Sequence, residues 1–366
     1  MVDQVCRICC GCSSCAQVCP QEAINMEADE KGFLYPKINK EKCTFCGKCQ
    51  EACPLFHDLS TEQFDNQMVY AVQHKDSQVL SNSSSGGMFT ALSDYVLEQG
   101  GTVFGAVIDA HGVIIHAEAS TKKERDKMRG AKYVQSKITN TFSMVAERLR
   151  QEKVVLFSGT PCQCAGLRYY ISHLGISDRN LIVVDILCKG VPSPKLFHDY
   201  LEHLKLSDDS SVRDISFRTK QDGWKKSQKM MVCFSDYCYE NERKNDAFYR
   251  LFMSNLALRP SCFSCRYVGR RRESDISIGD FWGIKDFDLE DKGTSLVLIN
   301  SIKGKECFEK IKHVLTIKKE SFENASKKNI TLIRPSKKPE ALELFWKIYL
   351  EKGIQGTLEF EAKDLW

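Results

Sequence analysis

The sequence predicts a small α+β module at the amino end followed by a larger α/β core. Three features carry that reading. A cysteine-rich stretch occurs twice within the first 58 residues, strand and helix signals alternate from Met68 onward, and a polar segment separates the two parts. A chain of 366 residues commonly forms two domains and is long enough to bury a core without disulfides in its place. The boundaries fall at 1–58 for the module, 59–67 for the linker ("HDLSTEQFDNQ" covers it) and 68–366 for the core.

Hydrophobic content of 42% and charged content of 27% are ordinary for a globular protein. The formal net charge of +4 gives no ground for a nucleic-acid partner. The basic "GRRRES" and the Lys-rich segments beyond Lys303 read as solvated faces. No apolar run reaches the length of a membrane span; the longest, "LIVVDILC", carries Asp185 and is strand-sized. The start, "MVDQVCRICC", lacks the apolar core of a signal peptide, so a cytoplasmic protein is expected. Eighteen cysteines in a reducing compartment point to metal rather than disulfides, and oxygen-sensitive clusters would suit an anaerobe.

The module is built on its cysteines. "CRICCGCSSCAQVCP" offers six, and its register is fixed by a copy, "CTFCGKCQEACP", over residues 43–54. Starting at Cys9, both read C-x2-C-x2-C-x3-C-P, with each ligand 34 residues from its counterpart (Cys9 to Cys43, Cys19 to Cys53). A short loop with this spacing wraps three thiolates around one cubane, and the fourth cysteine of each run serves the other cluster. Cys9, Cys12, Cys15 and Cys53 are therefore assigned to one 4Fe–4S cluster, and Cys43, Cys46, Cys49 and Cys19 to a second. Cys6 and Cys10 are left spare. Paired zinc sites are the alternative, but zinc knuckles rarely place three cysteines two apart before a CxxxCP. The module is ferredoxin-like, of the two-cluster bacterial type.

In the core, "SNSSSGGMFTALSDYVLEQGG" reads as a small-residue loop feeding an amphipathic helix that stops at Gly100–Gly101. Such a loop is an anion seat, because helix-opening amides lack internal partners and glycine lets a phosphate approach; a plain N-cap is the bland alternative. "VFGAVID" and "VIIHAEA" form a hairpin. "KVVLFSGTPCQCAGLRYYI" and "LIVVDILCKGVPSPKLFHDYLEHL" each read as strand, loop and helix. "DISFRTKQDGW" to "MMVCFSDYCYE", "SDISIGDFWGI" and "GTSLVLINS" supply further strands, and the carboxyl end reads as helical. No GxGxxG follows a strand and opens a helix, so a standard NAD-binding Rossmann unit is not supported.

Cys162 and Cys188 each lie just past the carboxyl end of an apolar strand, where loops of a parallel sheet converge on a ligand crevice. With the CxxC pair Cys262 and Cys265 they make a four-thiolate site for a third cluster. The alternatives are that the single cysteines are small buried hydrophobes and that the CxxC binds zinc or does thiol chemistry.

From about Met68 the chain resembles the beta-subunit family of coenzyme F420 hydrogenases and dehydrogenases. The matching elements are "SSSGGMFTAL", "GAKYVQSKI", "FSGTPCQCAGLR", "ILCKGVPS", "CFSCRY", "SDISIGDFWG" and "KGTSLVLINS", in family order. With its amino-terminal module it resembles the electron-input subunit of F420H2 dehydrogenases. The resemblance implies an FAD-binding α/β core with its own 4Fe–4S cluster, held by Cys162, Cys188, Cys262 and Cys265, with Cys164 a bystander. It implies FAD contacts from Ser84, Ser85, Gly86, Gly87, Lys132, Tyr133, Gln135, Ser136, Gly159, Thr160, Thr294 and Ser295.

A hydride donor or acceptor moves two electrons and a 4Fe–4S cluster one, so a flavin belongs between them. No convincing catalytic acid stands out; Asp280, Asp222 and Trp224 are candidates for lining the pocket. Lys225, Arg270, Arg271 and Arg272 are candidates for meeting an acidic substrate tail or an acidic ferredoxin. Three functions remain open: an F420-dependent oxidoreductase exchanging electrons with ferredoxin or a partner subunit, a ferredoxin-dependent reductase of another metabolite (in polysaccharide or cofactor metabolism), and an electron-transfer subunit without its own small substrate. The oligomeric state is open as well.

Overall fold

A computed structural model describes residues 2, 8–59, 67–220, 222–225, 228–288 and 290–358. Cys6 and most of the expected linker lie outside the described residues.

The amino-terminal module consists of a helical turn α1 (Ser14–Gln17), strands β1 (Ile24–Ala28) and β2 (Leu34–Ile38), and a second turn α2 (Lys48–Glu51). The two strands pair antiparallel, with Ile24 opposite Ile38 and Ala28 opposite Leu34. Each turn opens at a left-handed residue, Ser13 or Gly47, inside a cysteine run. So short a unit buries little apolar surface of its own. Val2, Cys15, Ile24 and Cys53 form a small cluster, and Val18 and Ala52 instead join a core cluster of the larger domain.

The core follows as β3 (Met68–His74), α3 (Ser77–Ser81), α4 (Met88–Glu98), β4 (Thr102–Ile108), β5 (Ile114–Ala119), α5 (Lys122–Asp126) and α6 (Thr141–Arg150). Next come β6 (Val155–Gly159), α7 (Pro161–His173), β7 (Leu181–Ile186), α8 (Pro194–Leu204), β8 (Val212–Ser216), β9 (Lys229–Phe234), β10 (Cys238–Glu242) and α9 (Ala247–Met253). The chain continues with β11 (Ile276–Asp280), β12 (Ser295–Ile299), α10 (Ile302–Ile311), β13 (Leu315–Glu320), α11 (Phe322–Ser326) and α12 (Leu342–Leu358), the last broken at Gly353.

Eight strands form one mixed sheet in the order β13-β3-β12-β11-β7-β6-β4-β5. Its centre, β4, β6, β7 and β11, is parallel, and the outer pairings are antiparallel. Alternation along β6 explains the layers. Leu156 points into one cluster with Met88, Leu92 and Val96 of α4 and Phe308 of α10, whereas Val155 and Phe157 point into another with Phe142 of α6 and Leu167 of α7. Helices therefore cover both faces. A separate antiparallel sheet, β10-β9-β8, packs its own cluster around Phe197, Phe217 and Phe248.

The expected hairpin, the two strand–loop–helix units and the helical end all appear at the predicted places. One expectation changes. The cysteine count predicts metal ligands and reduced thiols, but Cys233 and Cys238 are joined as a disulfide across the β9–β10 hairpin. The physical reason is register: the hairpin sets these two residues directly opposite each other.

Candidate functional site

The site comprises three thiol groups and one large cavity, and Cys188, just past the carboxyl end of β7, belongs to both the third group and the cavity wall. In the outermost group, Cys19, Cys43, Cys46 and Cys49 line a cavity of about 240 Å³ with Ile24 and Ile38 at its back. Cys46 and Phe45 are exposed there, so this group reaches the molecular surface.

The second group is buried. Cys9 and Cys53 are the charged-form neighbours that act most on the Cys15 thiol after burial, and Cys53 and Cys15 act on Cys12. Cys53 thus stands with Cys9, Cys12 and Cys15, and Cys19 with Cys43, Cys46 and Cys49. Backbone amides already face the sulfurs; Gly11 donates to Cys9 Sγ at 3.4 Å and Ala23 to Cys19 Sγ at 3.4 Å.

The third group belongs to the core. After burial, the groups that act on Cys188 are Cys262, Cys162 and Cys265, in that order. Just past the end of β6 at Gly159, Thr160 caps α7 and hydrogen-bonds Cys162 Sγ at 3.2 Å. The Val191 amide donates to Cys262 Sγ at 3.5 Å. Cys164 turns away and donates to the Val184 carbonyl at 3.5 Å inside the sheet.

The donor chemistry fits iron–sulfur clusters. Burial pushes the Cys53 and Cys265 thiols up to about 11 and Cys262 up to about 12, so without metal these sites hold neutral thiols. Bound iron supplies the positive charge that makes thiolates stable there. Among the described residues, no group of three or more His, Cys, Asp and Glu side chains is arranged to hold a single metal ion. A four-iron cube with its own sulfides spreads its thiolates wider than one ion does.

The second and third groups are neighbours because α7 lacks a side chain where the module docks. A Cβ on Gly166 would lie 2.8 Å from Cys12 Sγ and 2.9 Å from Cys12 Cβ. Gly166→Ala is expected to displace the Cys12 loop and cost about four irons per chain, read by iron analysis of anaerobically prepared protein. Retention of all the iron would show that the contact is not needed.

The cavity has a volume of about 1180 Å³, above the usual range of about 300–1,000 Å³ for one small ligand. Ser84, Ser85, Gly87, Lys132, Tyr133, Ser136, Gly159, Thr160 and Ser295 line it, together with Cys188 of the third thiol group. Gly86, Gln135 and Thr294 do not. Gly86 is pressed against β3 and β12, where a Cβ would sit 2.2 Å from the Val72 carbonyl oxygen. Gln135 is turned toward the amino-terminal module, donating to the Cys10 carbonyl at 2.8 Å. Thr294 is fully buried, and its carbonyl accepts from the Ser85 hydroxyl at 2.8 Å. The serine hydroxyls thus lock the loop, with Ser84 also accepting from the Ala131 amide at 2.8 Å. The α4 amino end, capped only by Gly87 in a left-handed conformation, is left for an anion.

The cavity is cationic. Nine of its described lining residues are lysines or arginines and one, Asp280, is a carboxylate. Two of the cations are fixed by carbonyls: Lys132 donates to those of Lys127, Met128, Arg129 and Gly130 at 2.7–3.2 Å, and Lys189 to those of Phe252 and Met253.

Of the expected pocket acids and aromatics, only Asp280 reaches the wall, where Arg218 pairs with it. Asp222 is exposed and bridges to Lys229 at 2.9 Å. Trp224 is fully buried behind the wall, stacked on Trp282 at 4.5 Å, and donates to Asp280 at 3.3 Å. Trp282, one residue past "GDF", is the ring that lines the cavity. Arg218 and His116 were missed in the sequence because nothing local marks them. His116 lines the cavity with Nε2 hydrogen-bonded to the Ser158 carbonyl and Nδ1 unpartnered, and burial pushes its imidazole down to about 4. Among the expected surface cations, Lys225 lies beside Asp291 and Arg270 beside Glu323. Arg272 is instead buried beside Asp185, because the loop before β11 folds it inward.

Residues 152–325 match the family model for the C terminus of the coenzyme F420 hydrogenase/dehydrogenase beta subunit, and residues 8–56 match that of the 4Fe-4S dicluster domain. Over 58 residues, 14% of this chain and 34% of the relative, the sequence is 42% identical to an uncharacterized polyferredoxin-like protein of Methanocaldococcus jannaschii. Over 46 residues, 13% of each, it is 50% identical to one subunit of the Na(+)-translocating ferredoxin:NAD(+) oxidoreductase complex of Acetobacterium woodii. The chain thus spans about a third or less of the curated relatives it matches. In the xenon-derivatized F420-reducing NiFe hydrogenase complex from Methanosarcina barkeri, one chain matches with a TM-score of 0.48 and 20% identity, over 80% of this chain and 90% of that one. No helix among the described residues is long and apolar enough to cross a membrane.

Proposed function

We propose that this chain, which joins a 4Fe-4S dicluster domain to the C-terminal domain of the coenzyme F420 hydrogenase/dehydrogenase beta subunit, is an FAD-dependent iron–sulfur oxidoreductase. It would pass electrons between a hydride donor or acceptor at the cavity and a ferredoxin or redox partner subunit at the outer thiol group. The observation that carries the reading is Cys188, which stands in the cavity wall and in the core thiol set at once. A ligand in the cavity therefore touches the ligand shell of the third cluster.

The residues present fit FAD. The α4 amino end and the glycine of the 83–87 loop suit a pyrophosphate, and the cationic wall suits a dinucleotide with room for a second acidic ligand. When bound, a flavin supplies the change between a two-electron hydride and single electrons. Around it the chain contributes the rest. Trp282 and Tyr133 offer ring surface, and neutral His116 stands in the wall. Arg218 pairs with Asp280 and holds it in place. From the cavity the route runs through the core thiols to Cys10 and Cys12, and then to the exposed group around Cys46.

The test is to purify the protein without oxygen and follow flavin bleaching with reduced coenzyme F420, NADH or reduced ferredoxin. Bleaching by reduced F420 and by reduced ferredoxin is the expected result. Bleaching by reduced ferredoxin alone would leave the reductase of another metabolite or the substrate-free electron-transfer subunit. Protein without flavin would overturn the assignment of the cavity.

A further inference from the structure

Cys10, which belongs to neither inner thiol group, lies between them, with Cys12 of one and Cys162 of the other as its neighbours. Beside it stands Tyr267, only 5% exposed, whose hydroxyl has no hydrogen-bond partner. After burial, the groups that act most on that hydroxyl are the thiols of Cys10, Cys162 and Cys12. The backbone amide of the same residue faces the Cys265 sulfur. Tyr267 thus anchors to the core thiol set through its main chain and presents its side chain to the gap between the sets.

A phenol buried without a partner is unfavourable, so its position calls for an acceptor that the thiols alone do not provide. Cluster sulfides and cysteine thiolates are such acceptors. We propose that the Tyr267 hydroxyl donates a hydrogen bond to a cluster sulfur at the junction of the Cys12 and Cys162 sets and raises the reduction potential of the cluster it touches. This rests on the reading that both sets hold 4Fe–4S clusters. Reduction adds one electron to the cluster, and a hydrogen bond to sulfur stabilises that extra negative charge. The proton stays on Tyr267 and no bond is made or broken. Tyr267 is a positioning residue for electron transfer, with Cys10 filling the remaining space between the two shells.

The test compares the full chain with Tyr267→Phe, which keeps the ring and removes only the hydroxyl. Both are prepared anaerobically, analysed for iron and sulfide, and titrated electrochemically with the clusters followed by electron paramagnetic resonance. The expected result is unchanged iron, a more negative midpoint for an inner cluster, and an unmoved midpoint for the outer cluster of Cys19, Cys43, Cys46 and Cys49. Full iron with all midpoints unmoved would overturn the proposal. So would loss of iron from the variant alone, which would make Tyr267 part of the cluster's support, or an equal shift of the outer cluster. Wild-type protein lacking iron at the inner sites would fail the cluster reading itself, which the iron analysis shows before any titration.

Discussion

Cys262→Ala is expected to remove one cluster and cut the cavity off from the amino-terminal pair. Cys262 is half-buried in the core set with Cys162, Cys188 and Cys265. Iron should fall from about twelve to about eight per chain, with the spectra of the ferredoxin-like pair intact. Bleaching of the flavin by reduced ferredoxin should then drop to background. Cys164 is not a ready substitute, because its thiol points to the Val184 carbonyl inside the sheet. Unchanged iron in the variant would mean that the core set is not a cluster site.

Arg259→Leu should have the second largest effect, this time on stability. Arg259 is 1% exposed and joins the two units from the core side. Its guanidinium donates to the Cys9 carbonyl at 2.8 Å, the Leu34 carbonyl at 2.8 Å and Gln135 Oε1 at 3.0 Å, and it lies 4.3 Å from the Tyr35 ring. Gln135 then donates to the Cys10 carbonyl at 2.8 Å. Leucine would fill part of the volume but leave three buried acceptors without a donor. Each costs about 1–3 kcal/mol, and after relaxation the total should be about 3–5 kcal/mol. Thermal unfolding of the anaerobic protein measures it, and the cluster of Cys9, Cys12, Cys15 and Cys53 should become the first lost in air. A change below about 1 kcal/mol would show that the module docks by other contacts. Gln135→Leu should be milder, and the double variant less than additive, because the two side chains share one network.

The dicluster domain was legible because iron–sulfur spacing is a local property and the copy 34 residues on fixes the register. Strand and helix alternation was legible for the same reason: Leu156 and Phe157 already declare two covered faces. The positions of Cys162 and Cys188 followed from the rule that strand ends converge. What stayed hidden depends on residues far apart in the chain. Arg259 meets the Cys9 carbonyl 250 residues away, and neither looks unusual in its own segment. Gln135 sits among motif residues that line the cavity, yet its side chain turns to the other side of the wall. Trp224 and Trp282 are stacked, and no local signal says which of the pair faces the ligand. The segment from Lys328 to Lys338, read as solvated charge, borders the cavity because the turns after α11 carry it across the mouth.

The central claim is that one flavin site and three clusters form a continuous route through a single chain. Its most direct test is the stoichiometry of FAD, iron and sulfide in anaerobically isolated full-length protein. About one FAD and about twelve irons with matching sulfide per chain are predicted. No flavin with about eight irons would contradict it, leaving only the amino-terminal pair.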